Sequence, residues 1–437
     1  MTNTDSPPKR SRSTWAVLRE NRPLAWLTAS ILFHRLSGSM LVVAIPLFVI
    51  DRYGLSWEAG LTLAARLIPN ILFGVIVGHI VDKWEPRKVA WVTAVMNAVL
   101  LASVPLTQSL VQLQILMFTA GVVYMFGLPA RMALRPLVIA KGDETPGNAL
   151  LVTAERLSSI VGPLLVGVII ASVGVEVSFP IQGGLAMLAA ASVWGLPARP
   201  LREPEQAEAE QKEKPGLKSE LRKMLVTGPA VLVRAVAGDR MLRVLVLTAF
   251  TYVGAVALGE VFVVGLAKEN FAGSPGANGW LVSAMGAGGV LGALLSAWLS
   301  RFRPGPLYFF GNVLEALAWL VLPFIGVLPL ALVCMVAAGF LESVATVVYF
   351  AEVQKRLPNE LTGRFYASFI PLTDVFGMLG SLSGPVLLAG AGVTGGALVI
   401  AALIAVPVLL CGVTLLRPGT IEMPLTESPE ESADADR

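Results

Sequence analysis

Along most of the chain, apolar runs of roughly 20 residues alternate with short polar intervals. A run of that length crosses a hydrocarbon core of about 30 Å as a helix. Six such spans are predicted at about 24–50, 57–81, 88–107, 111–140, 148–172 and 178–197. The pattern then breaks over 198–240, where Glu205 to Lys214 is almost wholly charged or polar and 217–236 reads as a basic amphipathic stretch suited to a membrane surface. Six more spans follow at about 241–266, 277–300, 306–325, 328–352, 363–389 and 394–416. A polar, basic tail at 1–23 and an acidic tail at 417–437 complete the chain. The first span is too long for a signal-peptide core and is expected to be retained.

Charge placement gives the topology. Lys and Arg gather in every other loop, whereas the intervening loops hold only Arg52 and Lys268. Under the positive-inside rule, both termini and the 198–240 linker lie in the cytoplasm, and the chain is a multi-pass protein of the cell membrane. A shift of 218 residues superimposes Gly74 on Gly292, Gly78 on Ser296 and Lys83 on Arg301. The small residues that let helices approach in lipid therefore recur in the second half. The expected fold is an all-α membrane protein, twelve transmembrane helices in two pseudo-symmetric six-helix halves, 24–197 and 241–416.

Composition narrows the chemistry. Only 14% of residues are charged and mean hydropathy is +0.72, so no soluble catalytic domain fits beside the spans. With 2 His and 2 Cys in the whole chain, neither a metal centre nor a disulfide framework is expected. No glycine loop beside a Lys-Ser/Thr pair offers a nucleotide site. The reading is of a non-enzymatic monomer whose partners are the bilayer and a small molecule, with no nucleic acid and no cofactor.

Several local motifs resemble the major facilitator superfamily. Gly78-His79-Ile80-Val81-Asp82-Lys83, followed by Arg87 and Lys88, is similar to its signature loop. Ala64-Ala65-Arg66-Leu67-Ile68-Pro69, Pro129-Ala130-Arg131, Asn148-Ala149-Leu150 and Gly162-Pro163 look most like its bacterial drug and secondary-metabolite exporters, such as macrolide-efflux-like and enterobactin-exporter-like proteins. The resemblance implies a proton-coupled antiporter that exports bulky amphiphiles by alternating access, drawing on the proton gradient. An uptake transporter or facilitator for a polar solute is the alternative, and a membrane assembly or signalling component a remote one.

The resemblance also assigns roles. Gly78, Asp82, Lys83, Arg87 and Lys88, with Arg364 at the start of span 11, form a conformational latch between the halves. Gly162, Pro163 and Gly167 form a partial antiporter motif. Three departures stand out. The second signature loop, from Ser300 to Gly305, lacks the Asp. Gln112 and Gln114 replace an Arg of span 4 that many relatives tie to proton coupling. Ser37-Gly38-Ser39 stands where many exporters carry an Asp.

Ionisable groups inside spans are functional candidates because hydrocarbon makes them expensive. Asp374, ten residues past Arg364 and so about 15 Å along its helix, lies near the midplane. With Glu342 it is the leading proton or cation-substrate site, followed by Glu260, Arg35 and His34. Arg35 is expected opposite Glu260 or Glu342, Arg66 in a structural pair within the N-terminal half, and Glu315 in a structural role. Arg131, Glu155 and Arg156 are expected in a cytoplasmic charge network. Tyr124, Met125, Phe126, Tyr252 and Phe262 could make a plastic apolar cavity wall.

Overall fold

The computed structural model describes residues 14–73, 84–140, 143–196, 233, 236–274, 276–299, 301–357 and 359–416, and among these no strand occurs. The spanning helices are numbered α1 to α12. Several start at a side-chain cap or a proline. Asn21 caps α1 (Arg22–Tyr53) by accepting from the Leu24 amide at 3.0 Å, and donates to the Val138 carbonyl at 2.8 Å. Ser56 caps α2, which begins as Trp57–Ala65. Pro86 and Pro304 open α3 (Pro86–Ser103) and α9 (Pro304–Val321) in the first turn, where a missing amide hydrogen costs nothing. Between them run α4 (Leu110–Val138), α5 (Glu144–Val173), α6 (Val175–Trp194), α7 (Arg240–Asn270) and α8 (Ala277–Leu299). The helix α10 (Leu328–Arg356) extends a turn beyond its expected end.

Two departures from the predicted spans have local causes. Span 2 breaks at 66–67 before resuming as helix over 68–73. Pro69 explains this, since its ring would meet the carbonyl of residue 65 in a continuous helix. Spans 11 and 12 run on as Asn359–Leu410 and turn at one residue, Gly392, whose φ of 64° suits glycine. That single residue separates α11 (359–391) from α12 (393–410), where the sequence suggested a four-residue loop. Among the described residues, ten helices are long and apolar enough to span a membrane. The twelvefold count is reached with α2, part of which lies beyond the described residues, and with the division at Gly392.

The helices form two bundles. In the first, α1 packs on α5 and α6, and α3 on α4 and α6. In the second, α7 packs on the α11–α12 run, α8 on α10, and α9 on α10 and the α11–α12 run. The bundles meet through two symmetry-related pairs, α5 with α8 and α2 with α11. Serines bolt the first bundle together: Ser37 donates to the Gln182 carbonyl at 3.0 Å and Ser39 to that of Ser158 at 2.7 Å.

The hydrophobic cores distinguish the two faces. At the face opposite the basic loops, one continuous core joins the halves, mixing Val43, Phe48 and Met117 with Phe262, Leu266 and Ile400. Toward the basic face each half has a core of its own. Leu24, Leu27, Leu134 and Leu151 belong to the first, and Leu242, Leu245, Phe365 and Val408 to the second. The halves are thus fused at one face and packed independently toward the other.

Candidate functional site

The break in α2 sets the centre of the site. The Arg66 carbonyl presses on Gly121 of α4, where an added Cβ would fall 2.3 Å from it. The Arg66 side chain leaves the N-terminal half and donates from Nη2 to both oxygens of Glu260 on α7, at 3.2 and 3.1 Å. One turn on, Asn70 Nδ2 donates to Asp374 Oδ2 on α11. Two side chains from one broken helix therefore hold two carboxylates of the other half. This corrects two expectations: Arg66 pairs across the interface and not within its own half, and Glu260 is held by Arg66 and not by Arg35.

Behind this pair of contacts the C-terminal half carries a second carboxylate group. Glu315 on α9 is only 1% exposed; its Oε1 accepts from the Tyr252 hydroxyl at 3.0 Å and from Trp319 Nε1 at 3.4 Å. Glu342 on α10 lies within electrostatic reach of both Tyr252 and Glu315. Glu315 Oε2 meets no partner among the described residues. Its position in the middle of an apolar run was the sequence signal that it is more than packing. Tyr252 also borders a cavity of about 350 Å³ shared with Tyr308, Asn312, Tyr349, Phe369 and Thr373.

The N-terminal half presents bases. Arg35 lies with Nη1 at 3.4 Å from the Tyr124 hydroxyl and Nη2 at 3.7 Å from Glu155 Oε1. The same Glu155 oxygen accepts from Arg135 Nη2 at 2.9 Å. His34 stacks on Tyr124 with ring centroids 6.2 Å apart. Of the expected wall residues, Tyr124 is 47% exposed and Phe126 stacks on Trp84. Met125 and Phe262 are buried in cores, Phe262 edge-on to Trp319, so neither forms a wall. A 3.6-residue period gives depth in the bundle without telling core from cavity.

Two further links close the face opposite the basic loops. Lys268 at the end of α7 pairs with Asp51 of α1, and Asn278 Nδ2 on α8 donates to the Val43 carbonyl at 3.4 Å. Gly167 of α5 packs on α8 so closely that a Cβ on Gly279 would fall 2.4 Å from the Gly167 Cα. Gly162 meets α1 with equal closeness, a Cβ there falling 2.0 Å from Ser39 Oγ. The antiporter-like glycines are thus contact points between helices. Gln112 and Gln114 serve local structure: Gln112 Oε1 accepts from the Gln108 amide and Gln114 Nε2 donates to the Glu58 carbonyl.

Gly78, Asp82 and Lys83 of the expected latch, and the Arg364 side chain, lie outside the described residues. Arg87 donates from Nη2 to the Trp194 carbonyl at the end of α6, at 2.8 Å, and Lys88 pairs with Glu85 at 2.8 Å.

Comparison with known proteins accords with this architecture. The chain is 28% identical over 412 residues to the multidrug efflux pump Tap of Mycobacterium tuberculosis (strain ATCC 25618 / H37Rv), covering 91% of this chain and 92% of that protein. It is 26% identical over 374 residues to the enterobactin exporter EntS of Escherichia coli O1:K1 / APEC, covering 82% of each. Its fold is similar to the nucleoside transporter NupG, with a TM-score of 0.69 at 14% identity over 91% of this chain and 99% of that one. A POT family transporter follows at 0.64 and 12%, over 91% and 97%. The profile of the Major Facilitator Superfamily matches residues 27–267, more than half of the sequence. This multi-pass membrane transporter belongs to the Major Facilitator Superfamily.

Proposed function

We propose that the chain is a proton-coupled antiporter that exports amphiphilic small molecules from the cell. Its basic loops and both termini lie in the cytoplasm. The observation that carries the reading is the broken helix α2, whose Arg66 and Asn70 bind Glu260 and Asp374 across the seam between the halves. Protonation removes the charge that holds the Arg66 guanidinium on Glu260 and leaves either carboxyl a weaker acceptor, so a proton arriving there competes with the contact. Proton binding therefore loosens the seam, and rocking of the halves exposes the site to the other side. Tap and EntS, exporters by name, support outward transport of drug-like or secondary-metabolite cargo. The fused core opposite the basic loops fits a conformation open to the cytoplasm, from which an exporter loads.

Inside-out vesicles with an imposed proton gradient test this. Dye or macrolide accumulation that collapses with an uncoupler, and is lost in Asp374→Asn or Glu342→Gln, supports it. Transport indifferent to the gradient and unchanged in both variants would overturn it.

A further inference from the structure

The bases on the N-terminal wall outnumber the acid that serves them. Arg35 and Arg135 share one carboxylate, Glu155. Arg131 has no acidic partner among the described residues. It is 3% exposed, its Nη1 donates to the Gly127 carbonyl of its own helix at 3.0 Å, and Nε and Nη2 meet no acceptor. His34 Nδ1 and Arg135 Nε are likewise buried without a protein partner. Arg35 and His34 both meet Tyr124, and Arg131 lies within electrostatic reach of the two, so these groups form one cluster.

A buried guanidinium with two idle donors is unusual, because unpaired buried charge is costly and a protein normally neutralises it. Here packing has preserved the excess, and it lies beside a way in. The Arg35 side chain is 35% exposed and Tyr124 next to it 47%. A guanidinium fork matches a carboxylate, sulfonate or phenolate better than any neutral group. The opposite wall, with Glu260, Glu315, Glu342 and Asp374, cannot hold such a group.

We propose that the Arg35–Arg131–His34 cluster seats the acidic group of the transported molecule, whose aromatic body lies against Tyr124. The cargo is then an amphiphilic anion, and the carboxylates of the C-terminal half are left to handle protons. This deepens the export reading and rests on it for direction only, since the site itself is a matter of binding.

Fluorescein and rhodamine 123 share a xanthene body and differ in charge, which makes them matched probes. Binding to the full-length protein in lipid nanodiscs is read by fluorescence anisotropy. Fluorescein is expected to bind, and Arg35→Gln to weaken it at least tenfold while leaving rhodamine 123 unchanged. Arg131→Gln should do the same; where it fails to fold, as judged by gel filtration, the rim residue Arg35 carries the test. Equal fluorescein affinity in wild type and Arg35→Gln, or binding of rhodamine 123 alone, overturns the assignment, as does binding of neither. Vesicle transport separates the two readings. Gradient-driven accumulation of rhodamine 123 without fluorescein upholds export and sinks the anion seat. Arg35-dependent fluorescein binding without gradient-driven transport upholds the seat and sinks proton-coupled export.

Discussion

The walls that the two halves turn toward each other follow one six-helix plan and carry opposite charge. Among the described residues, His34, Arg35, Arg131 and Arg135 stand on the N-terminal side with one acid, Glu155, and Glu260, Glu315, Glu342 and Asp374 on the C-terminal side with Tyr252 beside them. Pseudo-symmetry governs how the helices pack, as the paired α5–α8 and α2–α11 contacts show. It does not govern what they present. On the reading proposed above, duplicated packing with divergent chemistry would let one half hold cargo while the other trades protons. Arg66 and Asn70 are the points where the first half reaches into the second.

The comparison can be broken at those points. Asp374→Asn keeps the size of the side chain and removes the titrating group; gradient-driven transport should fall by up to about 100-fold, the range of a strong coupling between two ligands. Equilibrium exchange of substrate, measured without a gradient, should survive. Arg66→Met strands Glu260 in a partly buried site and should cost about 1–3 kcal/mol of stability, read as thermal unfolding in detergent. Adding Glu260→Gln should restore most of the loss; a double variant as unstable as the sum of the two singles would show that the pair is not coupled.

Conformational balance is the next target. Gly279→Val places a side chain where the Gly167 backbone already sits, so closure on that face should weaken by roughly tenfold, about 1.4 kcal/mol. Distance measurements between spin labels on α5 and α8 would report the shift. The smallest effect is expected for Lys268→Ala. Its pair with Asp51 is some 40% exposed, and such pairs contribute about 0–1 kcal/mol, less at high salt. Vesicle transport should change by no more than about fivefold.

Much of the bundle could be read from the chain because hydrocarbon enforces length and charge placement residue by residue. The site was less legible. Pro69 was visible in the sequence, but its consequence, a break that frees Arg66, depends on α4 pressing against Gly121. Arg131 looked like one more cation near a basic loop, since position along a helix gives depth and not the partners around its axis. Glu315 was expected in a structural role, and only the packed structure shows that α9 turns it inward to Tyr252. Contacts across the halves join residues some 200 to 300 positions apart, and no local pattern encodes them.

The core shared by the two halves has one more consequence. With the basic face in the cytoplasm, as proposed, this conformation has its outer side sealed by apolar packing and its binding walls available from within. A compound outside would first have to find the rare molecule that has parted that core, whereas one inside meets a site already formed. On that orientation, the side on which cargo first meets an open site would be set by where the molecule keeps its oil, and the net direction by the gradient.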